Sequence, residues 1–279
     1  LKLTFKPKKP KYIGRRVFEN IDLNLIKEYI DWSPFFQTWD LHGKYPDILK
    51  DEVVGKSATD LFKEAQKMLS KLINEKKIKA NGVVGFYPAH SINDDIAIFK
   101  DESMDLAFTY YCLRQQTKKP IINNNQNPNL CLADFIAPKK ESIQDYIGLF
   151  AVTSGINADI YENMFTKADD DYSNIMVKAI TDRLAEAFAE YMHDRVRQDL
   201  WGYQTEQLSN EEMIKEKYQG IRPAPGYPAC PEHTVKKDIF ELLQAKEIGM
   251  ELTESMSMIP ASSVSGFYFA HPEAKYFSV

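Results

Sequence analysis

The sequence predicts a mixed α+β domain with an antiparallel sheet. One long helical pattern, several short apolar runs and the lack of regular βαβ alternation point to it. In the long pattern Tyr172, Met176, Ile180, Leu184, Phe188 and Met192 recur every fourth residue, which lays them along one helix face. Val83 to Tyr87 and Ile96 to Phe99 flank a turn-rich segment from His90 to Asp95, and the three together read as an antiparallel hairpin. No Gly-rich dinucleotide fingerprint, Walker loop or nucleophile elbow is present, so the fold is not expected to be of the Rossmann kind.

The elements follow in order. Lys2, Lys6, Lys8, Lys9, Lys11, Arg15 and Arg16 make a basic arm over residues 1–16, read as a linker, and leave 17–279 as one domain. Asn20 or Asp22 can cap a short helix through Tyr29, with Leu23, Ile26 and Ile30 at helical spacing. The aromatic group Trp32, Phe35, Phe36 and Trp39 comes next; it could stack a base but is more simply core. A second helix is expected from a cap at Ser57, with Leu61, Ala65, Met68, Leu69 and Leu72 on one face. The Asn-rich stretch between Ile121 and Leu130 reads as an exposed loop. Leu132 to Ile136 and Tyr146 to Val152 read as buried strands. Ser209 with Glu212 gives a capping box for a helix ending at Gly220, and Thr234 caps another through Leu243. Strands around Val264 to Ala270 and Tyr276 to Val279 close the chain.

Composition removes several functions. The 279 residues carry a net charge of −5, which argues against a nucleic-acid module driven by phosphate neutralisation. No apolar run reaches the roughly 18 residues that a membrane helix needs, and mean hydropathy is −0.42. Cys112, Cys131 and Cys230 are too few and too scattered for a disulfide framework, so a reducing, cytoplasmic setting is expected. Cys230 and His233 have ligand-like spacing, but a metal site needs a second pair and none stands out.

The run Arg222-Pro223-Ala224-Pro225-Gly226-Tyr227-Pro228-Ala229-Cys230-Pro231-Glu232-His233 has a backbone set largely by its own prolines, which fix φ and push their predecessors toward extended geometry. Each proline also lacks an N–H, so the ribbon is rich in acceptors. Gly226 permits positive φ or a close approach to the main chain, and Arg222 and Tyr227 offer a carboxylate-binding fork and an aromatic face. A small molecule with a carboxylate at one end and a donor-bearing heterocycle at the other suits these groups. A proline-rich connector into the next helix is the competing reading.

Together with Tyr29-Ile30-Asp31-Trp32-Ser33-Pro34-Phe35-Phe36, Leu113-Arg114-Gln115-Gln116-Thr117 and Asp182-Arg183-Leu184-Ala185-Glu186-Ala187-Phe188-Ala189-Glu190, this ribbon resembles the C-terminal activation domain of cobalamin-dependent methionine synthase. The similarity spans essentially the whole chain, and its hallmark Arg-x-x-x-Gly-Tyr stands here as Arg222, Gly226 and Tyr227. The resemblance implies a C-shaped α+β domain with a central antiparallel sheet and flanking helices that binds S-adenosylmethionine. It places the carboxylate on Arg222, the ammonium on Asp31, and the adenosyl part on main-chain groups of Arg222, Pro223, Ala224, Gly226 and Tyr227. Tyr276 and Phe277 would add a further contact. Glu186 is carried as a neighbour, although helical spacing alone puts it on a solvated flank.

The resemblance further implies reductive methylation of a cobalamin bound by another domain of the same polypeptide, with flavodoxin or an equivalent reductase as electron donor. The isolated chain is then expected to bind but not to turn over. Two departures stand out: the Asn-rich loop from Asn123 to Asn129 looks longer than usual, and the chain stops at Val279, short of the family's helical tail. A start at Leu1 rather than Met fits a piece of a longer polypeptide. A non-catalytic docking or regulatory module, using the aromatic surface and basic arm, is the alternative from another class.

Overall fold

The computed structural model describes residues 6–117, 119, 121–122, 125–126 and 128–279. Its centre is two long antiparallel strands, β2 (Lys79–Ile92) and β7 (Asp145–Ile156). The outer edge of β2 is shared, first by β1 (Gly14–Phe18) and then by β3 (Asp95–Phe99), which continues to β4 (Leu106–Tyr111). On the other side β7 pairs with β10 (Ser263–Tyr268), giving the order β10-β7-β2-β3-β4. The short pairs β5 (Ile121–Ile122) with β6 (Asn125–Gln126), and β8 (Glu251–Leu252) with β9 (Met258–Ile259), stand apart.

Side chains alternate across the strands with period two, so each face of the sheet has its own core. Val84, Phe86, Phe150, Val152 and Tyr268 pack on one face with the helices α1 (Leu23–Ile26), α2 (Ser33–Gln37), α3 (Gly55–Glu75), α4 (Asp159–Lys167) and α5 (Asp171–Arg195). Val83, Tyr87, Ile147, Leu149, Ala151 and Phe267 pack on the other with α7 (Val235–Leu243). Between the two lies α6 (Asn210–Ile214) in chain order. Helix α5 contacts β7 and β10 and also α1, α2, α3 and α4. It is therefore buried on most of its circumference, as a helix with apolar residues on several faces must be.

Most of the expected elements form, with instructive shifts. Asp22 caps α1 by accepting from the Asn24 N–H at 2.9 Å. The reciprocal Ser209/Glu212 capping box is present, but α6 ends at Ile214 rather than Gly220. Helix α3 begins at Gly55, before Ser57. Leu132 to Phe135 is a 3-10 turn, not a strand. Asp134 accepts from the Cys131 N–H at 2.9 Å and closes that turn on itself. Tyr276 to Val279 makes no strand either, because the Tyr276 hydroxyl accepts from the Arg222 N–H at 3.0 Å. That contact and one backbone hydrogen bond, from Val279 N to Pro228 O at 3.4 Å, tie the tail to the ribbon without a ladder. Within the Asn-rich stretch, Asn123, Asn124 and Asn127 lie outside the described residues.

The described part of the basic arm is not a free linker, and a boundary at residue 16 would cut through β1. The Trp201 indole N–H donates to Lys8 O at 2.7 Å, Lys11 N donates to Leu200 O at 3.3 Å, and the Tyr12 hydroxyl donates to Val84 O at 3.2 Å. Arg15 pairs with Glu247 at 2.7 Å. Lys9 and Lys11 likewise pair with Glu102 and Asp199 on the domain's own surface. The aromatic group is core: Trp32, Phe35 and Phe36 are buried, and the Trp32 and Phe35 rings meet edge-on at 5.4 Å.

The ribbon is fastened to the outer edge of β10. Ile221 and Phe269 exchange two backbone hydrogen bonds of 3.0 Å, and Phe267 N donates to Pro223 O at 3.0 Å. Proline is tolerated there because only its carbonyl enters the ladder. The approach is so close that a Cβ on Gly266 would lie 2.3 Å from Pro223 O and 3.0 Å from Ala224 Cα. Gly266→Ala should therefore lift the ribbon from the sheet and cost about 1–3 kcal/mol, the range for overpacking a tight contact. A melting temperature equal to the parent's would show that the ribbon is not pressed against β10.

Candidate functional site

Three segments meet at one end of α5: the ribbon, the turn before α2, and the chain end around Tyr276. Two adjoining clefts open between them. One, of about 410 Å³, is lined by the ribbon residues Pro223, Ala224, Tyr227, Pro228 and Ala229 together with Tyr276, Phe277 and Ser278. The other, of about 390 Å³, is lined by Asp31, Tyr29, Pro34, Arg183 and Glu190. Glu186, Glu216, Tyr218, Arg222 and Tyr227 border both. A polar, carboxylate-rich lobe and a lobe of backbone and aromatic rings are joined at Arg222.

Each expected site residue has a local cause for its position. Asp31 Oδ1 accepts from Ser33 N at 2.9 Å, which turns the chain into α2. Arg222 is fixed at its amide by Tyr276 and at Nε by Glu190 Oε2, 3.1 Å away. Its Nη1 lies 4.0 Å from Glu186 Oε2, and Nη2 makes no hydrogen bond among the described residues. Burial disfavours the charged guanidinium, but Glu190 outweighs that and keeps Arg222 firmly protonated. One edge of the fork is therefore held, while the other is available to a carboxylate.

Gly226 has φ of +98° and sits in a tight turn closed by Gly226 N to Cys230 O at 2.8 Å and Cys230 N to Tyr227 O at 2.9 Å. A Cβ there would meet the His233 ring at 2.5 Å, so both reasons for a glycine apply. Gly226 shapes the ribbon and does not itself line either cleft. Tyr227, swung outward by this turn, is 51% exposed and donates to Glu186 Oε1 at 2.8 Å. Burial and the Glu186 carboxylate push its phenol up to about 12. Tyr276 and Phe277 line the ribbon lobe from an irregular tail. Cys230 accepts a hydrogen bond from the Tyr110 hydroxyl at 2.9 Å, and His233 packs on Gly226.

Glu186 faces the cleft rather than a solvated flank. Asp182, Glu186, Glu190 and Asp194 recur every fourth residue beside the apolar stripe of α5, and that spacing alone does not tell a cleft-facing carboxylate from a solvated one. Glu190 was missed for the same reason. Its Oε1 meets Arg197 Nη1 at 3.3 Å, and Arg197 Nη2 meets Asp194 Oδ1 at 3.0 Å. Burial alone would raise the Glu190 carboxyl, but the Arg222 guanidinium, with Arg197 on the other oxygen, holds it well below the usual range. Glu216 and Tyr218 also belong to the cleft and carried no motif.

His193 lies fully buried beneath this cluster. Its ring stacks on Tyr268 at 5.5 Å and meets Tyr218 edge-on at 4.7 Å. Its Nδ1 is 3.8 Å from Glu190 Oε1, beyond hydrogen-bonding reach. Burial lowers its pKa to about 4, with Glu190 opposing and Arg197 and Arg222 assisting. The native chain then stays neutral here while an unfolded chain takes a proton below about 6.5. This contribution to stability is present above pH 6.5 and is lost as pH falls toward 4. Asp145, raised to about 6 by burial, works in the opposite sense, so a variant isolates the histidine. The stability advantage of the parent over His193→Gln should shrink by about 1.4 kcal/mol per pH unit between pH 6 and 4.5. A pH-independent difference in denaturant midpoints would mean that His193 is charged in the native state.

The family model described as vitamin B12 dependent methionine synthase, activation domain, matches residues 22–279. Among solved structures, the crystal structure of the MetH reactivation domain bound to AdoHcy is similar with a TM-score of 0.92 and 53% identity, over 98% of this chain and 83% of that one. It shares the mixed architecture with a central antiparallel sheet. With a family match over nearly the whole chain, this protein belongs to the activation-domain family of vitamin B12-dependent methionine synthase.

Proposed function

We propose that this domain binds S-adenosylmethionine across the two clefts and presents its methyl group to a cobalamin held by another domain of the same polypeptide. The carrying observation is Arg222, whose side chain is 19% exposed and whose Nε edge is paired while its other edge opens where the two lobes meet. The AdoHcy bound to a relative 53% identical to this chain supports the same ligand class. S-adenosylmethionine supplies an activated methyl for reductive methylation of the cobalamin, with an electron from flavodoxin or an equivalent reductase.

Everything else falls to this chain's side chains. The Nη edge of Arg222 suits the methionyl carboxylate in a charge-assisted pair. Asp31, with Glu186 beside it, suits the ammonium. The ribbon lobe from Pro223 to Tyr227, with Tyr276 and Phe277 opposite, fits a nucleoside by backbone hydrogen bonds and ring contacts. The cleft also offers anionic surface for a sulfonium, since Tyr227 is anchored to Glu186. Positioning is the task, and no general acid or base is required. The domain then binds without turning over alone. Its thiols are unpaired, and among the described residues no helix is long and apolar enough to cross a membrane; both suit a cytoplasmic enzyme.

Calorimetric titration of the chain with S-adenosylmethionine and S-adenosylhomocysteine should give binding, and ATP should not. Arg222→Ala should weaken the interaction by about 1.5–3 kcal/mol, the range for a hydrogen bond to a charged group. Asp31→Asn should weaken it with the melting temperature of the free domain unchanged. A folded chain that ignores both ligands would remove the reading, and an Arg222→Ala variant that binds like the parent would move the carboxylate elsewhere.

A further inference from the structure

Arg222 is one end of a buried chain of charges. Glu190 bridges two guanidiniums: Oε2 takes Arg222 Nε at 3.1 Å, and Oε1 takes Arg197 Nη1 at 3.3 Å. Arg197 has a side chain only 1% exposed and is itself held by Asp194 Oδ1 at 3.0 Å. Asp194 Oδ2 in turn accepts from the Tyr29 hydroxyl at 2.9 Å. The Arg197 guanidinium also lies 4.5 Å over the Tyr218 ring, whose hydroxyl is 3.3 Å from that of Tyr276, the group that accepts the Arg222 amide. Glu190, Asp194 and Arg197 stand at i, i+4 and i+7, on one helical face. Arg197 lies in the π-turn Val196–Leu200 that ends α5, a kind of irregularity frequent at functional sites.

A free arginine side chain samples many rotamers, and ordering it on ligand binding costs free energy. Here the order is already imposed. We propose that Glu190, clamped from behind by Arg197, is a positioning residue that sets the rotation of the Arg222 guanidinium so that its Nη edge faces a ligand carboxylate in the cleft. This rests on the ligand reading given above. A purely structural role is a weak explanation of the triad, because buried ion pairs contribute little net stability against apolar replacements of similar shape. Arg197 matters through geometry as well as charge: its planar fork fixes the plane of the Glu190 carboxylate, which an ammonium would not do.

The test compares two ligands that differ only in the group concerned, S-adenosylmethionine and its decarboxylated analogue, titrated into the parent, Glu190→Gln and Arg197→Lys domains. The parent should prefer the carboxylate-bearing ligand. Both variants should lose about tenfold or more in affinity for it while changing by less than about twofold toward the analogue, so that the preference collapses, as a coupling between residue and carboxylate requires. Equal losses for both ligands would make the triad structural and overturn the proposal, as would unchanged preference. If Glu190→Gln fails to fold by circular dichroism, Arg197→Lys decides, since it keeps the charge. A parent that binds neither ligand would overturn the ligand reading and this inference with it. A parent that binds both equally would instead remove only the carboxylate from Arg222 and leave Glu190 nothing to orient.

Discussion

A guanidinium withdrawn from water must meet a carboxylate, and the pairing of Arg222 with Glu190 is the constraint around which the cleft is arranged. Breaking such a pair by deleting one partner leaves an uncompensated buried charge, at a cost of about 3–5 kcal/mol. The two residues come from elements far apart in sequence, so their backbones must be fixed independently and to within a hydrogen bond of one another. Helix α5 is fixed by burial against the sheet and against four other helices. The ribbon is fixed by one backbone hydrogen bond to β10 and two to Phe269 just beyond it, and by its own prolines. Neither support depends on the ion pair, which means that the cleft is formed before any ligand arrives.

The ribbon also closes the outer edge of the sheet. Strand β10 would otherwise present unpaired N–H and carbonyl groups along one side, the situation that invites association with another chain. Ile221 and Pro223 occupy that edge, and the missing Cβ of Gly266 lets them come close. The same carbonyl that satisfies Phe267 is thereby withdrawn from ligand binding. Acceptors available to a nucleoside are accordingly fewer than the count of prolines suggests, and they lie on the side of the ribbon turned away from β10.

How much of this was legible in the sequence follows from which forces act locally. Helix α5 was readable because the apolar recurrence from Tyr172 to Met192 is a property of adjacent turns. The hairpin of β2 and β3 was readable only in part: apolar runs flank a polar turn, but His90, Ser91, Ile92 and Asp95, read as turn, are ladder residues, and Val83 to Tyr87 pairs with β7 instead of β3. The capping box at Ser209 was readable because both partners lie within one turn. Leu132 to Ile136 was misread because a short apolar run does not distinguish a strand from a buried 3-10 turn, and the deciding contact is the Asp134 side chain. The anchoring of the basic arm was not legible because its partners are remote in sequence: Val84 lies about 70 residues away, and Leu200, Trp201 and Glu247 about 190 or more. At the cleft, Arg222, Gly226 and Tyr227 announced themselves by turn chemistry, whereas Glu190 and Arg197 did not. A helical carboxylate facing inward has the same local spacing as one facing water, and only its distant arginine tells them apart.

The division of the cleft bears on how a methyl group could be offered to a second domain. In a ligand with an amino-acid end and a nucleoside end, the sulfur lies between the two. If the carboxylate is taken by Arg222 and the nucleoside by the ribbon, the sulfur must lie near the residues that both lobes share, among them Glu186, Arg222 and Tyr227. Arg222 is already paired with Glu190, whereas Glu186 Oε2 lies 4.0 Å from Arg222 Nη1 on the shared border, so a sulfonium would be drawn toward the Glu186 side. There Tyr227, half exposed on its Gly226 turn, is the outermost wall. On the proposed binding mode, attraction to Glu186 and an open border at Tyr227 would act in the same direction, and the methyl would face the side that a partner domain can reach.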